Sequence, residues 1–88
     1  MLGAKNILAV TRTEVSGLSQ DFNIGYGLLV AINTSGGKIG IYALSSGAAR
    51  EIYNNGVNAT IEKVNEYVTR ITKGNTSNRI IVSFLGYY

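Results

Sequence analysis

The 88-residue chain contains no cysteine, no histidine and no proline. Without cysteine there are no disulfides, thiolate metal sites or thiol nucleophiles. Without histidine the usual proton shuttle near neutral pH and the commonest metal ligand are missing. Only five carboxylates remain, and none falls in a metal-loop spacing. No phosphate-binding glycine motif is present either, because no GxGxxG opens a helix after a strand and no GK[ST] occurs. These absences argue against an enzyme and imply no cofactor, no metal and no small-molecule substrate. Charged residues make up only 15% of the chain and hydrophobic residues 45%, a composition that folds. One domain, residues 1–88, is expected. A domain of this size buries only about 60–65% of the surface its unfolded chain exposes, so pairing with a second copy would add stability.

Eight basic residues against five acidic ones give a net charge of +3 and a pI of about 9.4, a range in which nucleic acid becomes a reasonable partner. The longest apolar run, residues 28–32, is far shorter than the roughly 20 residues of a membrane span. The first ten residues carry their lysine inside the apolar stretch instead of ahead of it, unlike a secretory signal. The expected location is the cytoplasm, in association with the nucleoid, with no membrane partner.

Five segments can be read along the chain. Residues 6–15 (NILAVTRTEV) are β-branched and partly alternating, and Lys38–Leu44 (KIGIYAL) alternates Ile39, Ile41 and Ala43 on one face; both predict strands. From Ala48 to Val64 apolar or small residues recur at helical spacing, with Ser45 or Ser46 as cap. One helix is expected there, or a helix–turn–helix split at Asn54-Asn55-Gly56. Residues 67–72 and 79–87 are strand-like and are joined by the polar loop 73–78, which predicts a hairpin. Residues 22–33 admit two readings. Their even positions form an unbroken period-2 apolar face, a strand that would turn through Thr34-Ser35-Gly36-Gly37 into KIGIYAL. A helix capped by Ser19, with Asp21 in its first turn, is also possible.

With the helix option the element order becomes β-α-β-α-β-β, and the sequence resembles a divergent member of the Alba superfamily of small chromatin and RNA-binding proteins. Residues 23–43 (NIGYGLLVAINTSGGKIGIYA) resemble the family's first helix, its glycine-bearing turn and the I-x-I-x-A strand that follows. Residues 52–58 (IYNNGVN) resemble the start of its second helix. Residues 79–85 (RIIVSFL), ending in Tyr87-Tyr88, resemble its closing strand. The family's lysine loop is replaced by Thr11-Arg12-Thr13-Glu14, and its arginine-rich turn by Ser45-Ser46-Gly47. The resemblance implies a two-layer α/β sandwich, two helices packed on a four-stranded mixed sheet, acting as a homodimer.

Charge is segregated along the sequence. Residues 67–88 hold Arg70, Lys73 and Arg79 and no acid, whereas residues 1–66 hold five bases and five acids. A hairpin concentrating cations suits the polyanionic backbone of a duplex, and the resemblance implies an arm reaching the minor groove. The expected nucleic-acid-binding residues are therefore Arg70, Lys73, Asn75 and Arg79 on the hairpin, with Arg12 and Arg50 on the body. The expected function is architectural binding of double-stranded DNA or structured RNA with little sequence specificity. Two alternatives stand beside it. One is an Alba-like scaffold or regulator that binds protein; the other is an antiparallel sheet with one helix that binds single strands.

Overall fold

The computed structural model describes residues 7–87, and the side chains of residues 13–86. Eight strands follow one another: β1 (Ile7–Glu14), β2 (Ser19–Phe22), β3 (Tyr26–Asn33), β4 (Lys38–Leu44), β5 (Ala49–Asn54), β6 (Ala59–Asn65), β7 (Val68–Lys73) and β8 (Ile80–Tyr87). They form a five-stranded sheet in the order β1-β8-β3-β4-β5 and a three-stranded sheet in the order β2-β7-β6. Every pairing is antiparallel. The chain crosses between the sheets four times, after β1, β2, β5 and β7.

This corrects the α/β expectation, because the described residues contain no helix. Residues 26–33 follow the period-2 reading and form β3, which turns through 34–37 into β4 with Leu28 opposite Ala43 and Ile32 opposite Ile39. Gly27 adopts φ +147°, a conformation that a right-handed helix does not contain. The expected second helix is replaced by β5, a crossover and β6. Asn54 causes the break: its Oδ1 accepts the backbone N–H groups of both Gly56 and Val57, each at 2.9 Å. Gly56 and Asn58 then take positive φ values of 112° and 58°. The side-chain amide competes for the N–H groups a helix would use, and positive φ ends any right-handed helix.

The basic hairpin is corrected as well. Its two strands exist as β7 and β8, but β7 pairs with β2 and β6, while β8 pairs with β1 and β3. Residues 74–79 are a crossover between sheets, not the tip of an arm.

The core lies between the two sheets. From the five-stranded sheet it takes Leu29, Ala31, Tyr42, Leu44, Val82 and Phe84; from the three-stranded sheet Ile61 and Ile71. Polar anchors hold the crossovers to this core. Asn33 is buried and donates from Nδ2 to the Val57 carbonyl at 3.0 Å. Lys63, from β6, donates its ammonium to the carbonyls of Ile24 (3.1 Å), Gly25 (2.7 Å) and Glu66 (3.3 Å) and to Thr69 Oγ1 (3.2 Å). Thr69 Oγ1 itself donates to Ile24 O at 2.9 Å. Burial pulls the Lys63 amine below the usual lysine range, and Glu66 works in the opposite direction. Together these contacts satisfy the Ile24 and Gly25 carbonyls of the 23–25 crossover.

Candidate protein-docking face

Alternation along a strand sends successive side chains to opposite faces. On β3 the odd positions Leu29 and Ala31 point inward and are completely buried. The even positions, read from sequence as an apolar face, point outward: Leu28 is 46% exposed and Ile32 is also exposed. On β4 the alternating set Ile39, Ile41 and Ala43 is likewise outward, while Gly40, Tyr42 and Leu44 are buried. Strand pairing stacks these outward residues into three rows. Ala43, Leu28 and Leu85 make one row; Ile41, Val30 and Ser83 the next; Ile39, Ile32 and Ile81 the third. Leu85 is 62% exposed. Tyr53 on β5, opposite Ile41, extends the middle row toward that edge. The central strands thus present an outer surface on which Ser83 is the single polar side chain of the nine.

The outer face of the three-stranded sheet is built differently. Ser19, Thr72 and Thr60 form one row across it, Asp21, Arg70 and Glu62 the next, and Val68 with Asn65 a third, beside the exposed Val64. The same short chain therefore lays hydroxyls and charges across two rows of one outer face and leaves the centre of the other apolar. That contrast is informative because scattered exposed apolar residues are ordinary, whereas a contiguous patch marks a contact surface.

The expected nucleic-acid residues whose side chains are described do not converge. Arg70 makes a two-pronged contact with Asp21, Nε to Oδ1 at 2.7 Å and Nη2 to Oδ2 at 3.2 Å. That contact holds the Asp21 carboxyl below its usual value and raises the Arg70 guanidinium. Arg79 pairs with Glu14 at 3.0 Å. Lys73 is only 7% exposed, so it is a packed residue with no Nζ ion pair among the described residues. Asn75 uses its Oδ1 within its own turn, accepting from Ser77 N (2.9 Å) and Ser77 Oγ (2.8 Å). Arg50 is exposed on β5, opposite Ala43, at a corner of the apolar face. Arg12 falls in β1, and its side chain lies outside the described residues, as does Tyr88.

Other chemistry is sparse. Among the described residues no group of three or more acids could hold a metal ion, and no helix is long and apolar enough to cross a membrane. A shallow cleft of about 340 Å³ lies between Tyr26, Leu44, Ser45 and Ser46. The Tyr26 hydroxyl at its rim donates to Glu66 Oε1. This bond, with some desolvation, pushes the phenol up to about 12. The phenol is thereby held as a neutral donor tying β3 to the β6–β7 turn, the opposite of what a nucleophile or base requires.

No protein-family model matches the chain, and neither a curated protein nor a solved structure does. The outer-face rows could have been found in sequence from residues 28–32 (LLVAI). A strand with five consecutive apolar residues is apolar on both faces, and both faces then want a cover.

Proposed function

We propose that the chain is an assembly module, a small two-sheet β protein that docks another protein on the outer face of its five-stranded sheet. The observation that carries this reading is the difference between the two outer faces: one is apolar across three strands, with Ser83 its single polar side chain, and the other carries a row of hydroxyls and a row of charges beside Val64 and Val68. Burying Leu28, Ile32 and Leu85 releases hydration water at roughly 25 cal/mol per Å² of apolar area, and the centre of the face holds no charge to desolvate. Supporting it further, Arg70 and Arg79 are already satisfied within the chain. The duplex-binding expectation therefore lacks the protruding cluster of free cations on which it rested.

The neutral dye Nile red reports on such a surface. At about 1 μM protein, dilute enough that weakly held copies separate, dye fluorescence should rise several-fold with the wild-type chain. The rise should persist at high salt, disappear with Leu85→Glu and remain with Thr72→Lys, which alters only the polar face. Fluorescence indifferent to Leu85→Glu would contradict the reading. So would binding of duplex DNA that weakens steeply with salt and is lost on charge reversal at Arg79.

A further inference from the structure

We infer that the occupant of this face is a second copy of the chain, the two five-stranded sheets stacked outer face to outer face. This rests on the docking reading above and goes further by naming the partner.

Self-complementarity is the first support. In a two-fold contact each surface meets itself, so any charge near the axis meets its own image. The rows around Val30 and Ile41 contain no charged side chain, only Ser83 among aliphatic ones. The charges stand at the periphery, where Glu14 is already paired with Arg79. Glu14 lies at the β1 edge, in register with Ile81, and Arg50 lies at the β5 edge, in register with Ala43. A two-fold running roughly along β3 lays the β1 edge of one copy over the β5 edge of the other and keeps Glu14 and Arg50 two rows apart along the strands, so that neither charge meets its own image. Sheets of the same hand of twist stack on one another with strands about 30° apart, which this arrangement allows.

Area is the second support. Five strands about 4.8 Å apart, each followed for about seven residues at about 3.3 Å, give a face of roughly 550 Å². Two copies would cover about 1,100 Å² together, close to the lower limit of about 1,200 Å² for specific interfaces. One face is then about a tenth of the chain's 5138 Å² surface, the usual share for a specific contact in a small protein. A peptide or a single helix laid on the face would cover only part of its width, whereas a second five-stranded sheet matches it edge to edge. The inner faces already show the chemistry, since sheet-on-sheet packing through interleaved aliphatic side chains makes the core itself. The product is a four-layer sandwich whose outermost layers are the two polar three-stranded sheets.

Sedimentation equilibrium of the full chain tests this, on wild type, Leu85→Glu, Val30→Lys and Thr72→Lys, each checked for folding by circular dichroism. Wild type and Thr72→Lys should show the dimer mass at about 100 μM and approach the monomer mass on roughly hundredfold dilution. Leu85→Glu should be monomeric throughout, with a loss of association of at least tenfold. Leu85 is largely solvent-exposed in a single copy, so this variant keeps the test valid even if Val30→Lys fails to fold. A dimer that survives Leu85→Glu, or that Thr72→Lys abolishes, overturns the inference by placing the contact elsewhere. Wild type monomeric at every concentration overturns it too. In that case Nile red decides the fate of the underlying reading: dye bound and lost with Leu85→Glu leaves a docking face for a different protein, and no dye bound removes the docking face as well.

Discussion

Replacing Lys63 with methionine is expected to lower stability by about 2–3 kcal/mol, because hydrogen bonds to a charged group each contribute about 1.5–3 kcal/mol. For a domain of this size that corresponds to a fall in melting temperature of about 10–20 °C. Methionine keeps the length and apolar character of the stem, so packing is largely conserved and the loss isolates the ammonium. Its removal leaves the Gly25 carbonyl without its 2.7 Å partner and the Glu66 carbonyl without its own. The Ile24 carbonyl keeps a donor in Thr69 Oγ1. Thr69→Val alone should therefore be the milder change, and the double variant should lose more than the sum of the two, because Ile24 then has neither donor. Urea titration of the four proteins gives the cycle directly. A loss for Lys63→Met of less than about 0.5 kcal/mol, the range of ordinary surface substitutions, would show that the crossover does not depend on this anchor.

Gly27→Ala is expected to be costlier still, about 4 kcal/mol, combining backbone strain with forced overlap. Gly27 lies opposite Gly86, and a Cβ on Gly27 would run into the Leu85 carbonyl and the Gly86 Cα. Both obstacles are backbone, so no rotamer relieves them; β3 and β8 would have to move apart. The neighbouring pair on the same two strands is Leu28 with Leu85, so the close approach also sets the spacing of the apolar rows. Gly17→Ala supplies the comparison. It too has positive φ, at 66°, but nothing stands within 4 Å of its would-be Cβ, so only the left-handed penalty of about 1–2 kcal/mol applies. Thermal melts of the two variants should differ by at least 10 °C. Equal losses would mean that β3 and β8 are not packed as closely as the register requires.

Much of the strand structure was legible. Residues 6–15 read as a strand and contain β1, Lys38–Leu44 is β4 with the same bounds, and residues 67–72 and 79–87 foreshadow β7 and β8. For residues 22–33 the local alternation points to β3, whereas the likeness to the Alba superfamily's first helix points to a helix. The stretch read as a long helix misled for a different reason. β5 is an edge strand with five of its six residues exposed, so it has little alternation of its own. Joined to β6 through an Asn-rich turn, its apolar residues happen to fall at helical intervals. The turn dipeptide Asn55-Gly56 was the better signal, and the Asn54 amide is what enforces it.

The pairing of β7 and β8 in different sheets was hidden, because sequence proximity says nothing about long-range partners. The same blindness produced the basic arm. Counted along the chain, Arg70 and Arg79 belong to an acid-free segment; folded, β2 brings Asp21 directly opposite Arg70 and β1 brings Glu14 beside Arg79. The apolar outer face was half visible. Alternation on β3 and β4 announced two apolar faces, but only the position of the second sheet tells which is core. The inward set turned out to be Leu29, Ala31, Tyr42 and Leu44, leaving the more regular aliphatic set outside.

Methyl-resolved NMR of the intact chain across a dilution series reads this surface residue by residue. Contact between copies through the outer face should move the methyl signals of Leu28, Val30, Ile41 and Leu85 with concentration, while those of the inward Ile71 and Val57 stay fixed. Concentration-dependent shifts confined to Leu18, Val64 or the threonines of the three-stranded sheet, or signals of the four outer residues that never move, would contradict it.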